Sequence, residues 1–182
     1  MPIQYKKGDI FRAKTQTIVN TVNCKGVMGK GLALEFRKRY PKMYEEYRRE
    51  CEEGRLTIGK LHLYKAAIPW ILNFPTKNHW RYKSKIEYIK AGLKTFVEKY
   101  REWGIKSIAF PQLGCQQGGL EWNDVKPILE KYLGKLPGLI VHVYSYIPEE
   151  KKAKQKEKRK TRKMKLKNTR SEERQQTLTQ YS

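Results

Sequence analysis

Thr17-Ile18-Val19-Asn20-Thr21-Val22 runs without a break into Asn23-Cys24-Lys25-Gly26-Val27-Met28-Gly29-Lys30-Gly31, and then into Leu32-Ala33-Leu34-Glu35-Phe36-Arg37. β-Branched residues fill the first segment and mark a strand. Glycines punctuate the second, and the third reads as a helix that stops before Pro41. Glycines between a strand and a helix let backbone N–H groups close around an anion, and the helix adds its positive N-terminal end. Tight turns also use glycine for conformational reasons alone, so one such loop decides little. A second one follows: the short apolar strand Ser107 to Phe110 breaks at Pro111 into Gln112-Leu113-Gly114-Cys115-Gln116-Gln117-Gly118-Gly119-Leu120, ahead of a helix from about Trp122 to Leu133. Two such loops in one small domain suggest a pocket that grips a diphosphate from both sides. Neither loop ends in GK[ST] and neither has Rossmann spacing, which argues against a nucleotide kinase or an ordinary dehydrogenase.

The rest of the chain fits the same pattern. Strands are expected at Ile3 to Tyr5, Lys60 to Ala66, Ile68 to Phe74 and Leu139 to Tyr144. One helix starts near Pro41 and ends at Gly54. Another, Lys85 to Trp103, carries the apolar stripe Ile86, Ile89, Leu93, Phe96, Val97, Tyr100 and Trp103. Strands alternating with helices mean an α/β sheet with helices on its faces, and 182 residues suit one domain. We place that domain at residues 1–148. From residue 149 the apolar periodicity stops, and the 149–182 tail is expected to be basic and disordered.

The formal charge of +22 is spread over both parts. The tail holds 13 basic and 5 acidic residues, which leaves 27 against 13 before it. Such an excess attracts polyanions, nucleic acid first, and makes binding salt-dependent; a surface rich in Lys and Glu is the plainer alternative. Cys24, Cys51 and Cys115, and His62, His79 and His142, are scattered without metal or disulfide spacing, so neither a metal nor a cofactor is expected. The N-terminus lacks an apolar signal region and no run reaches membrane-spanning length. A cytoplasmic monomer without membrane association is the expectation.

Asn73-Phe74-Pro75-Thr76-Lys77-Asn78-His79-Trp80-Arg81 lies where the fourth of these strands ends. Open α/β sheets place ligands beyond the carboxyl ends of their strands. By composition Lys77 is one of 40 Lys and Arg residues and has no special claim. Trp80 reads equally as a packing residue or as a surface on which a splayed base stacks, with His79 and with Arg81 near a phosphate.

Taken together, GDIF at Gly8 to Phe11, IVNTVN at Ile18 to Asn23, GVMGKGLALEF at Gly26 to Phe36 and PQLGCQQGGLEW at Pro111 to Trp122 resemble a macrodomain over roughly residues 1–147. NFPTK at Asn73 to Lys77 narrows the likeness to the DarG-like branch of DNA ADP-ribosyl glycohydrolase antitoxins and to the terminal ADP-ribose glycohydrolases. The resemblance implies a mixed central sheet with helices on both faces, a three-layer α/β/α fold. It implies an ADP-ribose site in which Asp9 and the Ile10 amide meet the adenine and Asn23 meets the distal ribose. In the same way Asn20 would hold loop backbone, while Gly26, Val27, Met28, Gly29 and Gly31 wrap the diphosphate with Leu113, Gly114, Cys115, Gln116, Gln117, Gly118 and Gly119. Lys77 and Asn23 would be catalytic, and His79, Trp80 and Arg81 would touch DNA.

The function so implied is release of ADP-ribose from a thymine base in DNA by a lysine-dependent N-glycosyl hydrolase, an antidote to a cognate DNA ADP-ribosyltransferase toxin. The alternatives are a non-catalytic ADP-ribose-binding module, or a hydrolase of ADP-ribosylated protein or O-acetyl-ADP-ribose. Terminal glycohydrolases carry an acid in the second loop; here the loop reads Gln116-Gln117-Gly118-Gly119, with no acid before Glu121. That departure favours the DNA branch, and Glu121 reads as a helix start. Burial and nearby cations (Lys25, Lys30, Arg81, Lys83) would lower the Lys77 pKa. Capture of a toxin, which such antitoxins perform with a further C-terminal domain, does not follow from the resemblance. Deleting Lys151 to Ser182 is expected chiefly to weaken salt-dependent DNA binding and to leave the single-turnover rate on modified DNA in place, as titrations across salt concentrations and rapid-quench assays would show.

Overall fold

In a computed structural model of the chain, residues 3–145 are described; the basic tail expected over 149–182 lies outside them. Six strands form one sheet: β1 (Gln4–Lys7), β2 (Thr17–Asn23), β3 (His62–Tyr64), β4 (Trp70–Lys77), β5 (Ser107–Pro111) and β6 (Ile140–Ser145). Their order is β1-β6-β5-β2-β4-β3. All neighbours are parallel except the edge pair β3 and β4. The helices are α1 (Gly31–Arg39), α2 (Pro41–Glu52), α3 (Ile86–Lys99) and α4 (Trp122–Leu133), with one 3-10 turn at Ile10–Arg12.

Strand alternation divides the core into two layers, because successive side chains point to opposite faces. Val19, Leu72, Phe74, Ile108 and Phe110 pack with Ile89, Leu93 and Phe96 of α3 and Val125 and Leu129 of α4. Ile18, Val22, Ile71 and Ala109 pack with Leu32 and Phe36 of α1 and Met43 and Tyr47 of α2. The sheet is thus sandwiched between two helix pairs, the three-layer arrangement of the sequence reading.

The expected elements are present, with shifted ends. β3 keeps only three residues of the expected Lys60 to Ala66, because its single partner, β4, pairs with it over His62 to Tyr64. β4 starts at Trp70, leaving Ile68 exposed, and runs on through Pro75 to Lys77. The sequence reading ended that strand at Phe74. Its continuation is possible because β4 is paired with β2 through Val22↔Pro75 and Asn23↔Lys77, across an irregularity at Val22/Asn23. Lys77 is therefore the last residue of a strand rather than a loop residue.

Close packing of α3 on the sheet depends on Gly92, where a Cβ would overlap the Phe74 ring. Alanine in a helix interior is ordinarily better than glycine by about 0.5–1 kcal/mol. At this position the sign should reverse, Gly92→Ala costing about 1–3 kcal/mol through overpacking, read as a lower urea midpoint with an unchanged slope.

Candidate functional site

β2 delivers Asn23 to the carboxyl edge of the sheet, where loop 1 (residues 24–30) leads into α1. Asn23 is buried and its side chain serves the loop. Nδ2 donates to the Val27 carbonyl at 2.6 Å, and Oδ1 accepts from the Lys25 and Val27 amides at 2.9 and 3.4 Å. Two tyrosines of α2 hold the same loop from behind. The Tyr47 hydroxyl donates to the Asn23 carbonyl at 2.7 Å, and the Tyr44 hydroxyl to the Gly26 carbonyl at 3.2 Å. Burial pushes the Tyr47 phenol far above the ordinary tyrosine range, so it stays a neutral donor.

The expectation for Asn20 changes accordingly. Asn20, expected to hold loop backbone, is fully buried and bonds instead to Asn73 on the neighbouring strand, Nδ2 to Oδ1 at 2.9 Å. It is Asn23 that holds the loop. Asn20 lies three residues back, inside the paired part of β2, where its amide reaches the Asn73 side chain and the Met28 sulfur of loop 1 (3.7 Å) rather than loop backbone.

Loop 2 (residues 112–121) follows β5. Gly118 is obligatory there, since a Cβ would strike the Gly114 carbonyl and the Ser84 hydroxyl. Gln116 is the one non-glycine described residue with a positive φ, 27°, a sparsely populated conformation that surrounding structure must enforce. Glu121 is the N-cap residue of α4, as expected of a helix start, and makes no side-chain capping bond.

Lys77 joins the two loops. Its backbone pairs with β2 opposite Asn23, and its Nζ donates to the Gln117 carbonyl at 2.5 Å. Burial lowers its pKa below the usual lysine value of 10.5. The cations named in the sequence reading are not the cause; withdrawal from water is. The carbonyl favours the charged form, and desolvation outweighs it. Burial also raises the thiols of Cys24 and Cys115 to about 11, which keeps them protonated and poor nucleophiles at neutral pH.

Between the loops lies a cavity of about 640 Å³, within the range of small-molecule sites. Of the residues singled out from sequence, Asn23, Val27, Gly29, Lys77, Trp80, Arg81, Gly114, Cys115, Gln116, Gln117 and Gly118 line it. Asp9, Ile10, Asn20, Gly26, Met28, Gly31, Leu113, His79 and Gly119 do not. Asp9 caps the 3-10 turn, accepting from the Phe11 amide at 3.0 Å, and Ile10 is core. Met28 is core too, because loop 1 folds back on α1 and α2. Lys30, named from sequence only as a nearby cation, lines the cavity too, and Thr21, Val22, Leu32, Ala33, Thr76, Pro111 and Gln112 also line it and were missed. All adjoin motif positions at a strand end or a helix first turn, which is the signal that could have found them. Among the described residues no group of three or more His, Cys, Asp or Glu could hold a metal ion.

The family model described as Macro domain matches residues 19–129. A protein of Mycobacterium tuberculosis named DNA ADP-ribosyl glycohydrolase is 46% identical over 146 residues, covering 78% of this chain and 42% of that one. A Thermosipho africanus protein named as a DNA ADP-ribosyl transferase-DNA ADP-ribosyl glycohydrolase fusion is 39% identical over 165 residues, covering 80% and 42%. Among solved structures, Thermosipho africanus DarTG in complex with ADP-ribose superposes with a TM-score of 0.74 at 39% identity, over 79% of this chain and 42% of that one. The chain thus spans about two fifths of the length of the curated relatives it matches.

If the tyrosines of α2 hold loop 1 in shape, Tyr47→Phe leaves the buried Asn23 carbonyl short of a donor. It should cost about 1–3 kcal/mol in urea unfolding. Amide exchange should quicken at Lys25 and Val27, while the amides of α3 keep their protection relative to global unfolding.

Proposed function

The chain belongs to the macro domain family, and on that premise we propose that it releases ADP-ribose from a modified base in DNA, with Lys77 as the reacting group. The observation that carries this reading is a half-buried lysine amine, with a lowered pKa, set between two glycine-rich loops at the lip of a cavity of about 640 Å³. The names carried by relatives at 39–46% identity support the DNA substrate, and the fusion relative supports a DNA ADP-ribosyltransferase as counterpart. The positive excess on residues 1–148 supports a polyanionic substrate.

The chemistry proceeds as follows. The neutral Lys77 amine attacks the anomeric carbon of the distal ribose. The bond from that carbon to the base nitrogen breaks, its electron pair leaves with the base, and the base nitrogen takes up a proton. The ribosyl-lysine opens to an imine, and one water restores the amine and frees ADP-ribose. Loop amides and the N-terminal end of α1 face the diphosphate. Asn23 keeps loop 1 in shape with one Nδ2–H and its Oδ1, and its second Nδ2–H is left to meet the distal ribose. A second reading rests on the short bond to the Gln117 carbonyl, which suits an ammonium. In that reading Lys77 stays charged and stabilises the departing base.

Lys77→Ala should lower the rate of release from ADP-ribosylated oligonucleotide at least about a hundredfold, while calorimetry with free ADP-ribose still detects binding. Equal rates for variant and wild type would sink the lysine mechanism. Binding without release from any substrate by the wild type would establish a non-catalytic module. The pH profile separates the two readings of Lys77. An amine nucleophile gives a single-turnover rate that rises with pH and levels off below 10.5, because the folded pKa is lowered. A charged clamp gives a rate that falls through the same interval.

A further inference from the structure

The connection from β4 to α3 carries an aromatic feature that the site above does not use. His79 and Trp80 stack with ring centroids 5.3 Å apart and an interplanar angle of 26°. On its other neighbour, His79 meets the Tyr82 ring at 5.3 Å and 44°. The Arg81 guanidinium lies 4.7 Å above the Trp80 ring. Backbone bonds hold the turn: the Tyr82 amide donates to the His79 carbonyl at 3.1 Å and the Arg81 amide to His79 Nδ1 at 3.2 Å. The Ser84 amide then donates to the Gly118 carbonyl at 2.9 Å, which ties the segment to loop 2. The turn is therefore held next to the cavity, which Trp80 and Arg81 line while His79 and Tyr82 do not.

Exposure distinguishes the rings. Trp80 already has His79 stacked on it and Arg81 over it, and is 45% exposed; Tyr82 is 68% exposed. A large aromatic held in place but left open to water is a ready platform for another π-system, since little ordering entropy remains to be lost. The electrostatics specify which kind. From Gly54 to Ile86 the sequence has seven basic residues and no acidic one. Arg81, Lys83 and Lys85 take part in none of the ion pairs of the described residues. Cations alternating with aromatic faces match a nucleotide chain, phosphates to the one and bases to the other. An acidic peptide would use the cations and leave the Tyr82 face without a partner.

We propose that Tyr82 is a stacking subsite for the nucleobase adjacent to the modified one, backed by His79, which Trp80 stacks on in turn. This rests on the DNA reading above and adds a second base-binding position outside the cavity. The subsite makes the enzyme prefer a modified base within a polynucleotide to the same base in an isolated nucleotide.

The test compares three substrates with the full chain: an ADP-ribosylated thymidine mononucleotide, the same nucleotide within a short oligodeoxynucleotide, and that oligonucleotide with abasic neighbours. Wild type should favour the base-bearing oligonucleotide in kcat/KM. Tyr82→Ala should reduce that advantage over the mononucleotide by about tenfold or more and erase the difference between base-bearing and abasic neighbours. Tyr82→Phe, which keeps the ring, should retain both. Loss on all three substrates alike, or an advantage that survives Tyr82→Ala, overturns the subsite. A wild type inactive on every substrate overturns the proposed activity instead. Anisotropy with unmodified oligonucleotides then decides the subsite: a preference for base-bearing over abasic strands that Tyr82→Ala removes upholds it. Its absence, or displacement of the strand by an acidic peptide with no base preference, ends it.

Discussion

At the centre of the sheet the Asn20 amide donates to the Asn73 side chain across β2 and β4, 2.9 Å apart and sealed from water. Asn73 reaches His62 Nδ1 on β3 at 3.1 Å, and His62 Nε2 meets Glu46 of α2 at 2.8 Å. This polar rung crosses three strands and ends on a helix. Buried amides left without partners are costly, and a slip of one residue would also turn Leu72 and Phe74 out of their layer. Register between β2 and β4 is therefore doubly constrained. With it settled, Asn23 and Lys77 must end side by side at the carboxyl edge of the sheet, and the candidate site is built on that juxtaposition.

What stands above this edge is held by few bonds. Tyr44 and Tyr47 support loop 1 from α2, while Lys77 at the end of β4 and Ser84 in the β4–α3 connection support loop 2. Lys77 is thus both a bridge between the loops and, in the proposed function, the reacting group. The two roles pull its proton in opposite directions. The Gln117 carbonyl favours an ammonium, while burial favours the amine and lowers the pKa.

The strand-loop-helix units and the layered α/β fold were legible along the chain because each rests on short-range patterning. β-Branched and apolar runs named the strands, the stripe from Ile86 named the inner side of α3, and glycines marked both loops. Less legible were the roles of two similar asparagines. In the sequence, Asn20 and Asn23 are repeats of one motif. In the fold, the first pairs across strands and the second braces a loop, since only the second lies where the pairing of β2 gives out. Asp9 likewise reads as a ligand residue by motif, while its visible work is to cap a 3-10 turn.

Sequence alone determined the α/β class, the macrodomain resemblance, the positive charge and the residues that crowd one edge of the sheet, because composition, periodicity and motif identity are properties of the chain itself. Only the tertiary structure decided that β4 continues to Lys77, that the lysine reaches the Gln117 carbonyl forty residues away, and that Tyr82 stands open beside a braced Trp80. These depend on strand pairing, desolvation and the packing of one ring on another. All three are set by groups distant in sequence, and no local pattern reports them.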